Sequence, residues 1–276
     1  MSTERIHRAV SADGTAIAGR IMGQGPPLIL LHGALYSGET AFDELLPHLT
    51  DRYTCFLPST RGRGLSAAGD DDAPERLLED VIAFVDSIGQ PIPLFGWSGG
   101  GMWALGAAAS SESVSAVIAY EPAVFEVIDE ELFAELGTTI AQMNTEVEQG
   151  RPSEAARLFM ALVCNDEELE ANIAKGRHEA AAPSIPADLR MLAKLDPTGP
   201  SVTNPALLAT LTIPIVLLQG ERTKPWFVRG NQHVATHAPN AENRIIPGAG
   251  HGGPGLAPEA VARELIHLPQ RSPVLP

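Results

Sequence analysis

The chain has 276 residues, of which 44% are hydrophobic and 19% charged, enough apolar material for one large core and a smaller appended unit. Its formal net charge of −15 repels phosphate backbones and anionic membrane surfaces, so nucleic-acid and membrane partners are not expected. The N-terminus is polar and no apolar stretch is long enough to span a bilayer. We therefore expect a cytoplasmic protein without a signal peptide.

Cysteine and histidine usage gives no indication of a metal site. Cys55 and Cys164 each lie in or beside an apolar run and have no CxxC neighbour, so we expect buried free thiols in a reducing compartment. His233 and His237 are four residues apart on a predicted helix, but no acidic third ligand accompanies them. We interpret this pair as part of a surface helix and expect neither a metal nor another cofactor.

The predicted elements alternate between short strands and helices. Residues 4–25 form two alternating segments around Asp13-Gly14, which predicts an N-terminal hairpin. Six unalternating apolar strands follow, namely LILLHG, YTCFLP (53–58), PIPLFG (91–96), VSAVIAYEP (114–122), TIPIVLLQG (212–220) and NRIIPG (243–248). Helices are predicted at 75–88, 99–109, 225–237 and 258–267. This order is typical of a doubly wound α/β fold, with a mostly parallel sheet and an antiparallel hairpin at one edge.

Residues 123–205 break the alternation. They contain helical patterns and no convincing strand, with several prolines near the end. We predict a core domain made of residues 1–122 and 206–276, and a helical lid or cap inserted at 123–205. Exposed acidic faces and an apolar inner face suit a lid that shapes a pocket and keeps water out.

Polar or glycine-rich residues follow five predicted strands, and this is the edge of an open α/β sheet where ligands bind. Among them, Gly96-Trp97-Ser98-Gly99-Gly100 fits the G-x-S-x-G nucleophile elbow between a strand and a helix. The tight turn needs small flanking residues, and it projects the serine hydroxyl from the sheet. The helix N-terminus offers amide hydrogens to a developing oxyanion. Ser98 is therefore the candidate nucleophile.

Four segments make the chain resemble the α/β-hydrolase superfamily over nearly its whole length: LLHGA (30–34), RGRGLS (61–66), GWSGG (96–100) and PGAGHGG (247–253). The resemblance implies the order serine, acid, histidine along the chain, and no cofactor. It implies that His251 is the base for Ser98. It also implies an oxyanion hole made by the amides of Ala34 and Gly99, with Leu35 as a substitute for Ala34.

The position of the acid departs from the usual family pattern. The family places an aspartate in a G-x-x-D loop after the insertion, but here that position holds Thr223, and Glu221 stands two residues earlier. Burying the charge of Glu121 at the end of a strand costs free energy unless the carboxylate is paired, and a histidine would supply the partner. This arrangement is similar to that of the zearalenone lactonases, whose triad glutamate follows the same strand. We favour Glu121 and keep Glu221 as the alternative, with Glu126 and Asp196 as further candidates.

Apolar residues next to the site in sequence could line a substrate pocket, although ordinary core packing also explains them. The substrate-binding candidates are Leu35, Trp97, Phe125 and Trp226, with Tyr36 and Met102 beside them.

The sequence predicts a serine hydrolase for an ester or lactone of a fairly apolar small molecule. The alternatives are C–C bond or thioester hydrolysis, acyl transfer or perhydrolysis by the same triad, or a catalytically silent small-molecule receptor. A homodimer is compatible with the sequence.

Overall fold

The computed structural model describes residues 5–195, 199 and 201–266. Asp196, one of the candidate acids, lies outside this part of the chain. Within the described residues, eight strands form a single sheet. They are β1 (Arg5–Val10), β2 (Ala16–Gly23), β3 (Pro27–Leu31), β4 (Thr54–Pro58), β5 (Ile92–Trp97), β6 (Val114–Tyr120), β7 (Ile215–Gly220) and β8 (Ala241–Ile246).

The sheet has the order β1-β2-β4-β3-β5-β6-β7-β8. β1 pairs with β2, and β2 with β4, in antiparallel register, while all the remaining neighbours are parallel. This confirms the predicted mostly parallel sheet with an antiparallel hairpin at one edge. The parallel strands share one carboxyl edge, which brings the ends of β3, β5, β6 and β7 together.

Alternate residues of the central strands pack on opposite faces of the sheet. On β3, Leu28 and Leu30 belong to one buried cluster and Ile29 and Leu31 to the other, and all four are at most 4% exposed. Because both faces are covered, both sets of side chains must be apolar. This explains why the strands read as unbroken apolar runs.

Eleven α-helices lie within the described residues. They are α1 (Pro74–Asp86), α2 (Gly99–Ser110), α3 (Glu130–Glu148), α4 (Pro152–Val163), α5 (Asp166–Ala174), α6 (Arg177–Ala181), α7 (Ile185–Leu192), α8 (Pro205–Leu208), α9 (Pro225–His237), α10 (Gly253–Leu256) and α11 (Pro258–Ile266). α1 turns one apolar face, including Val81 and Phe84, to the sheet. α2 is apolar all round and mostly buried. None of the helices in the described part of the chain is long and apolar enough to cross a bilayer.

Helices α3 to α7 lie between β6 and β7, in the segment 123–205 that we call the cap. Within the cap, α5 and α6 are separated at Gly176, whose φ of 67° is left-handed and ends the first of these helices. Met143, Met160 and Ile185 of the cap belong to the same buried cluster as Trp97 of the core. The cap therefore shares a hydrophobic core with Trp97, the residue before Ser98 at the carboxyl end of β5.

Candidate active site

Ser98 lies in a sharp turn between β5 and α2. Its φ of 56° and ψ of −120° are unfavourable for a residue with a side chain. A Cβ atom at Gly96 would come within 2.3 Å of the Gly100 carbonyl oxygen, and one at Gly100 within 2.1 Å of the Leu31 carbonyl oxygen. The glycines on both sides of Ser98 are thus required by close backbone contact, as a nucleophile elbow demands.

Backbone hydrogen bonds hold this turn in place. The Ser98 amide donates to the Tyr120 carbonyl at 2.9 Å, and the Ser98 carbonyl accepts from the amides of Gly101 at 2.9 Å and Ala123 at 3.2 Å. Among the described residues, positive φ without glycine occurs only at Leu35, Ser98 and Glu121. All three stand at the carboxyl edge of the sheet, and such strain is typical of functional sites.

Glu121 follows β6 and is fully buried. Its Oε2 lies 2.7 Å from His251 Nδ1, and its Oε1 accepts the Gly220 amide at 2.7 Å. Since an ionised carboxylate can only accept, His251 Nδ1 carries the hydrogen and Nε2 is left free to accept a proton. The cost of burying Glu121 is offset by these contacts and by a hydrogen bond from Thr223.

The other candidate acids lie elsewhere. Glu221 is exposed and accepts the Gly248 amide at 2.8 Å through Oε2. Glu126 accepts from the Thr203 hydroxyl at 2.7 Å. Thr223, at the position where the family usually has aspartate, donates to Glu121 Oε2 at 2.8 Å. Of the described candidates, the structure brings Glu121 alone to His251.

Two aromatic residues contact His251, one at its ring and one at its backbone. The Phe227 ring stacks on the imidazole with centroids 3.8 Å apart and planes 9° apart. Trp97 Nε1 donates to the His251 carbonyl at 2.9 Å. Sequence reasoning chose Trp226 and missed Phe227. An aromatic residue in the first turn of α9 gave the only signal, and it could not show which neighbour would face the histidine.

Ser98 and His251 line one cavity, although the described contacts include no hydrogen bond between their side chains. That cavity, of about 380 Å³, also contains the predicted pocket residues Leu35 and Trp97. Ser98 lines a second and larger cavity of about 730 Å³, whose walls include Phe125, Met102 and Trp226. The serine thus stands where two apolar cavities meet.

The loop after β3 brings Ala34 next to Ser98. The Ala34 amide nitrogen is 4.0 Å from a Cβ position built on Gly99, so the two predicted oxyanion amides are neighbours. The Leu35 amide, the alternative oxyanion donor, instead donates to Asp188 Oδ2 of α7 at 2.9 Å and is therefore already engaged. With Leu35 engaged elsewhere, Ala34 and Gly99 remain the candidates for the oxyanion amides.

His32 holds this loop in place through both of its ring nitrogens. Its Nε2 accepts the Thr60 amide at 3.1 Å, so its Nδ1 donates to the Gly33 carbonyl at 2.8 Å. Burial, followed by the nearby Arg63 charge, lowers the pKa of His32 to about 3. A neutral histidine with both ring nitrogens bonded to the backbone acts as a structural group.

The described residues contain no group of three histidine, cysteine, aspartate or glutamate side chains able to hold a metal ion. On α9, the rings of His233 and His237 pack against each other at 4.8 Å, and His233 Nε2 lies 2.9 Å from the Thr203 carbonyl. Cys55 and Cys164 are free and buried.

Comparison with known proteins agrees with the fold and the elbow. The model of the alpha/beta hydrolase family matches residues 28–264. The chain is 29% identical over 273 residues to a pimeloyl-[acyl-carrier protein] methyl ester esterase of Xanthomonas campestris, covering 90% of this chain and 98% of the relative. It is 31% identical over 250 residues to the protein of the same name from Stenotrophomonas maltophilia, covering 84% of this chain and 88% of the relative.

Solved structures show the same architecture. An alpha/beta hydrolase from Sphaerobacter thermophilus superposes with a TM-score of 0.74 at 26% identity, covering 94% of this chain and 98% of that one. The esterase RhEst1 from Rhodococcus gives a TM-score of 0.75 at 22% identity, covering 95% and 97%. With its elbow serine, its sheet order and a family match over most of its length, the chain belongs to the alpha/beta hydrolase family.

Proposed function

We propose that this protein is a serine hydrolase that cleaves an ester or lactone of a fairly apolar small molecule. The triad is Ser98, His251 and Glu121. The observation that carries the proposal is the 2.7 Å contact between His251 Nδ1 and buried Glu121, in a cavity wall shared with the strained Ser98. An imidazole held in this tautomer keeps Nε2 ready to accept a proton from the serine.

The chemistry follows the usual two steps. Ser98 Oγ attacks the carbonyl carbon while His251 Nε2 takes its proton, and the amides of Ala34 and Gly99 stabilise the oxyanion. Collapse of the tetrahedral intermediate breaks the bond to the alcohol oxygen, which receives the proton from His251. Water, deprotonated by His251, then attacks the acyl-enzyme and releases the acid. The proton taken from water returns to Ser98 Oγ as the acid leaves, which restores the free enzyme.

The two cavities support an assignment of the substrate's two parts. His251 lines only the smaller one, and the alcohol must lie beside His251 to be protonated as it leaves. The acyl part then fills the larger cavity of about 730 Å³, which is mainly apolar. A bulky apolar acyl group on a small alcohol fits this arrangement, and the curated relatives are named as methyl ester esterases.

A lactone is an internal ester, and the same steps open its ring with the alcohol still attached to the acyl chain. The glutamate after β6, together with Thr223 in place of the usual aspartate, is the feature that the chain shares with the zearalenone lactonases. This resemblance supports including lactones with linear esters among the substrates to be tested.

The test is turnover of a panel of p-nitrophenyl esters, methyl esters and lactones by wild type and Ser98→Ala. We expect hydrolysis by wild type that falls to background in Ser98→Ala, with fold and substrate binding retained. Full turnover by Ser98→Ala would contradict the mechanism. Tight binding of an apolar ester without turnover by wild type would favour a receptor.

A further inference from the structure

A buried carboxyl group of the cap forms a hydrogen bond to the loop that carries Ala34. Asp188, on α7, is 1% exposed. Its Oδ2 accepts the Leu35 amide at 2.9 Å, and its Oδ1 accepts from Arg63 Nη2 at 2.7 Å. Arg63 in turn donates to the Tyr36 carbonyl at 3.1 Å. One carboxyl group of the cap thus fixes the backbone immediately after Ala34.

The backbone at this point needs such support. Leu35 has a φ of 74°, a left-handed conformation that costs a residue with a side chain about 1–3 kcal/mol. The amide of Leu35 points to the cap because Asp188 accepts it, and the residue before it, Ala34, lies beside Gly99 at the elbow. Without the acceptor, the loop can relax to an ordinary φ and move the Ala34 amide away from the elbow.

A second buried carboxyl group of the cap holds the histidine loop. Glu168, on α5, is 6% exposed, and its Oε1 accepts the amides of Gly250 and Gly252, both at 3.0 Å. These are the two neighbours of His251. Tyr120 completes the support by donating its hydroxyl hydrogen to the Gly250 carbonyl at 2.6 Å.

Both carboxyl groups are buried at a cost in free energy. Burial raises the pKa of both Glu168 and Asp188, which shows that the ionised form is penalised at each position. Glu168 Oε2 has no hydrogen-bond partner among the described residues. At Glu168, a buried carboxyl group with one unpartnered oxygen is a costly way to attach a helix, since an apolar residue would pack there without that cost.

We propose that Asp188 and Glu168 are positioning residues through which the cap holds the oxyanion loop and the histidine loop in their reactive geometry. The inference rests on the proposed function and deepens it, because the cap then takes part in catalysis as well as covering the pocket. A displacement of about 1 Å at a reacting group can cost about 100-fold in rate.

Each positioning residue has a matched control on its own helix. Arg190 of α7 pairs with Asp72 of the core at 2.6 Å, and Glu167 of α5 pairs with Arg222. These ion pairs also join cap and core, but the side chains of Arg190 and Glu167 make no described hydrogen bond to the backbone beside Ala34 or His251. Arg190→Gln and Glu167→Gln therefore report what is lost when an ordinary cap–core contact is removed.

The experiment measures kcat and KM with a p-nitrophenyl ester, and the rate at which a fluorophosphonate labels Ser98, for wild type and variants. We expect Asp188→Ala and Glu168→Ala to lower kcat and the labelling rate by about 10- to 100-fold with little change in KM. Asp188→Asn and Glu168→Gln keep an oxygen acceptor and should recover most of the loss. Both controls should remain close to wild type.

Circular dichroism and thermal melting establish that each variant is folded. Where Asp188→Ala fails to fold, Asp188→Glu displaces the same carboxyl group by one methylene and should show the same loss in kcat. Alanine variants that match their controls in kcat and labelling rate overturn the inference while leaving the proposed function intact. A wild type that neither turns over esters nor reacts with the fluorophosphonate contradicts the proposed function itself, and the positioning roles with it.

Discussion

Thr223 donates its hydroxyl hydrogen to Glu121 Oε2 at 2.8 Å, and the same oxygen lies 2.7 Å from His251 Nδ1. By resemblance, Thr223 stands where the family places its aspartate. The loop after β7 therefore still contributes to this site, because Thr223 supports the carboxyl group that contacts the histidine.

This relationship predicts that the acid can be moved. Glu121→Ala should lower kcat by about 10³- to 10⁴-fold, because the imidazole loses the group that fixes its tautomer. Adding Thr223→Asp to Glu121→Ala places a carboxylate near His251 Nδ1 again and should restore part of kcat. Glu221→Ala is the control and should stay near wild type. A double variant no faster than Glu121→Ala would show that the loop cannot supply the acid.

Phe227 is predicted to act on catalysis through the ring it covers. Its stacking on His251 at 3.8 Å limits the movement of the imidazole. Phe227→Leu retains an apolar side chain but removes the flat surface, so kcat should fall while KM changes little. Phe84→Leu makes the same change at a buried site on α1 and should lower the melting temperature without lowering kcat. Equal kcat values for the two variants would count against the role of the stack.

The lowered pKa of His32 predicts how the free energy of unfolding depends on pH. Its folded pKa of about 3 lies below the ordinary value of 6.5, so between these values the unfolded chain binds a proton that the folded chain does not. The contribution of neutral His32 to the free energy of unfolding is fully present above pH 6.5. It is lost, by about 1.4 kcal/mol per pH unit, as the pH falls toward 3. Urea unfolding at pH 7.5, 6.0 and 5.0 measures it. His32→Gln should show a shallower slope; parallel curves for the two proteins would contradict the assignment.

The two cavities predict an asymmetric response to substrate size. Each methylene added to the acyl chain and buried in the larger cavity should contribute about 0.8 kcal/mol, or about fourfold in kcat/KM. Lengthening the alcohol should instead reduce kcat/KM once the smaller cavity is full. Trp226→Ala should weaken the gain for long acyl chains and leave acetyl esters nearly unchanged. The opposite dependence on acyl and alcohol length would reverse the assignment of the cavities.

The fold could be predicted because its signals are local. Unbroken apolar strands separated by amphipathic helices indicate a covered parallel sheet, and the Asp13-Gly14 turn indicates the edge hairpin. Gly96 and Gly100 are explained by backbone contacts within the elbow itself. Residues whose role is set by their immediate neighbours in the chain were therefore accessible from the sequence.

Contacts between segments that are far apart in the chain could not be predicted from the sequence. Asp188 meets the Leu35 amide across 153 residues, and Glu168 meets the amides beside His251 across 82 and 84 residues. Nothing in the cap sequence distinguishes these two carboxyl groups from the exposed acidic residues around them. Their partners are backbone groups, which have no signature in the sequence, so the link between cap and catalytic loops appears only in three dimensions.

The most direct test of the central claim is the rate at which a small fluorophosphonate labels the protein, followed by intact mass. We expect rapid single labelling of wild type, none in Ser98→Ala, strongly slowed labelling in Glu121→Ala and a near wild-type rate in Glu221→Ala. This result would establish Ser98 as an activated nucleophile whose histidine is supported by Glu121. Fast labelling of Glu121→Ala, or labelling that persists in Ser98→Ala, would contradict the account.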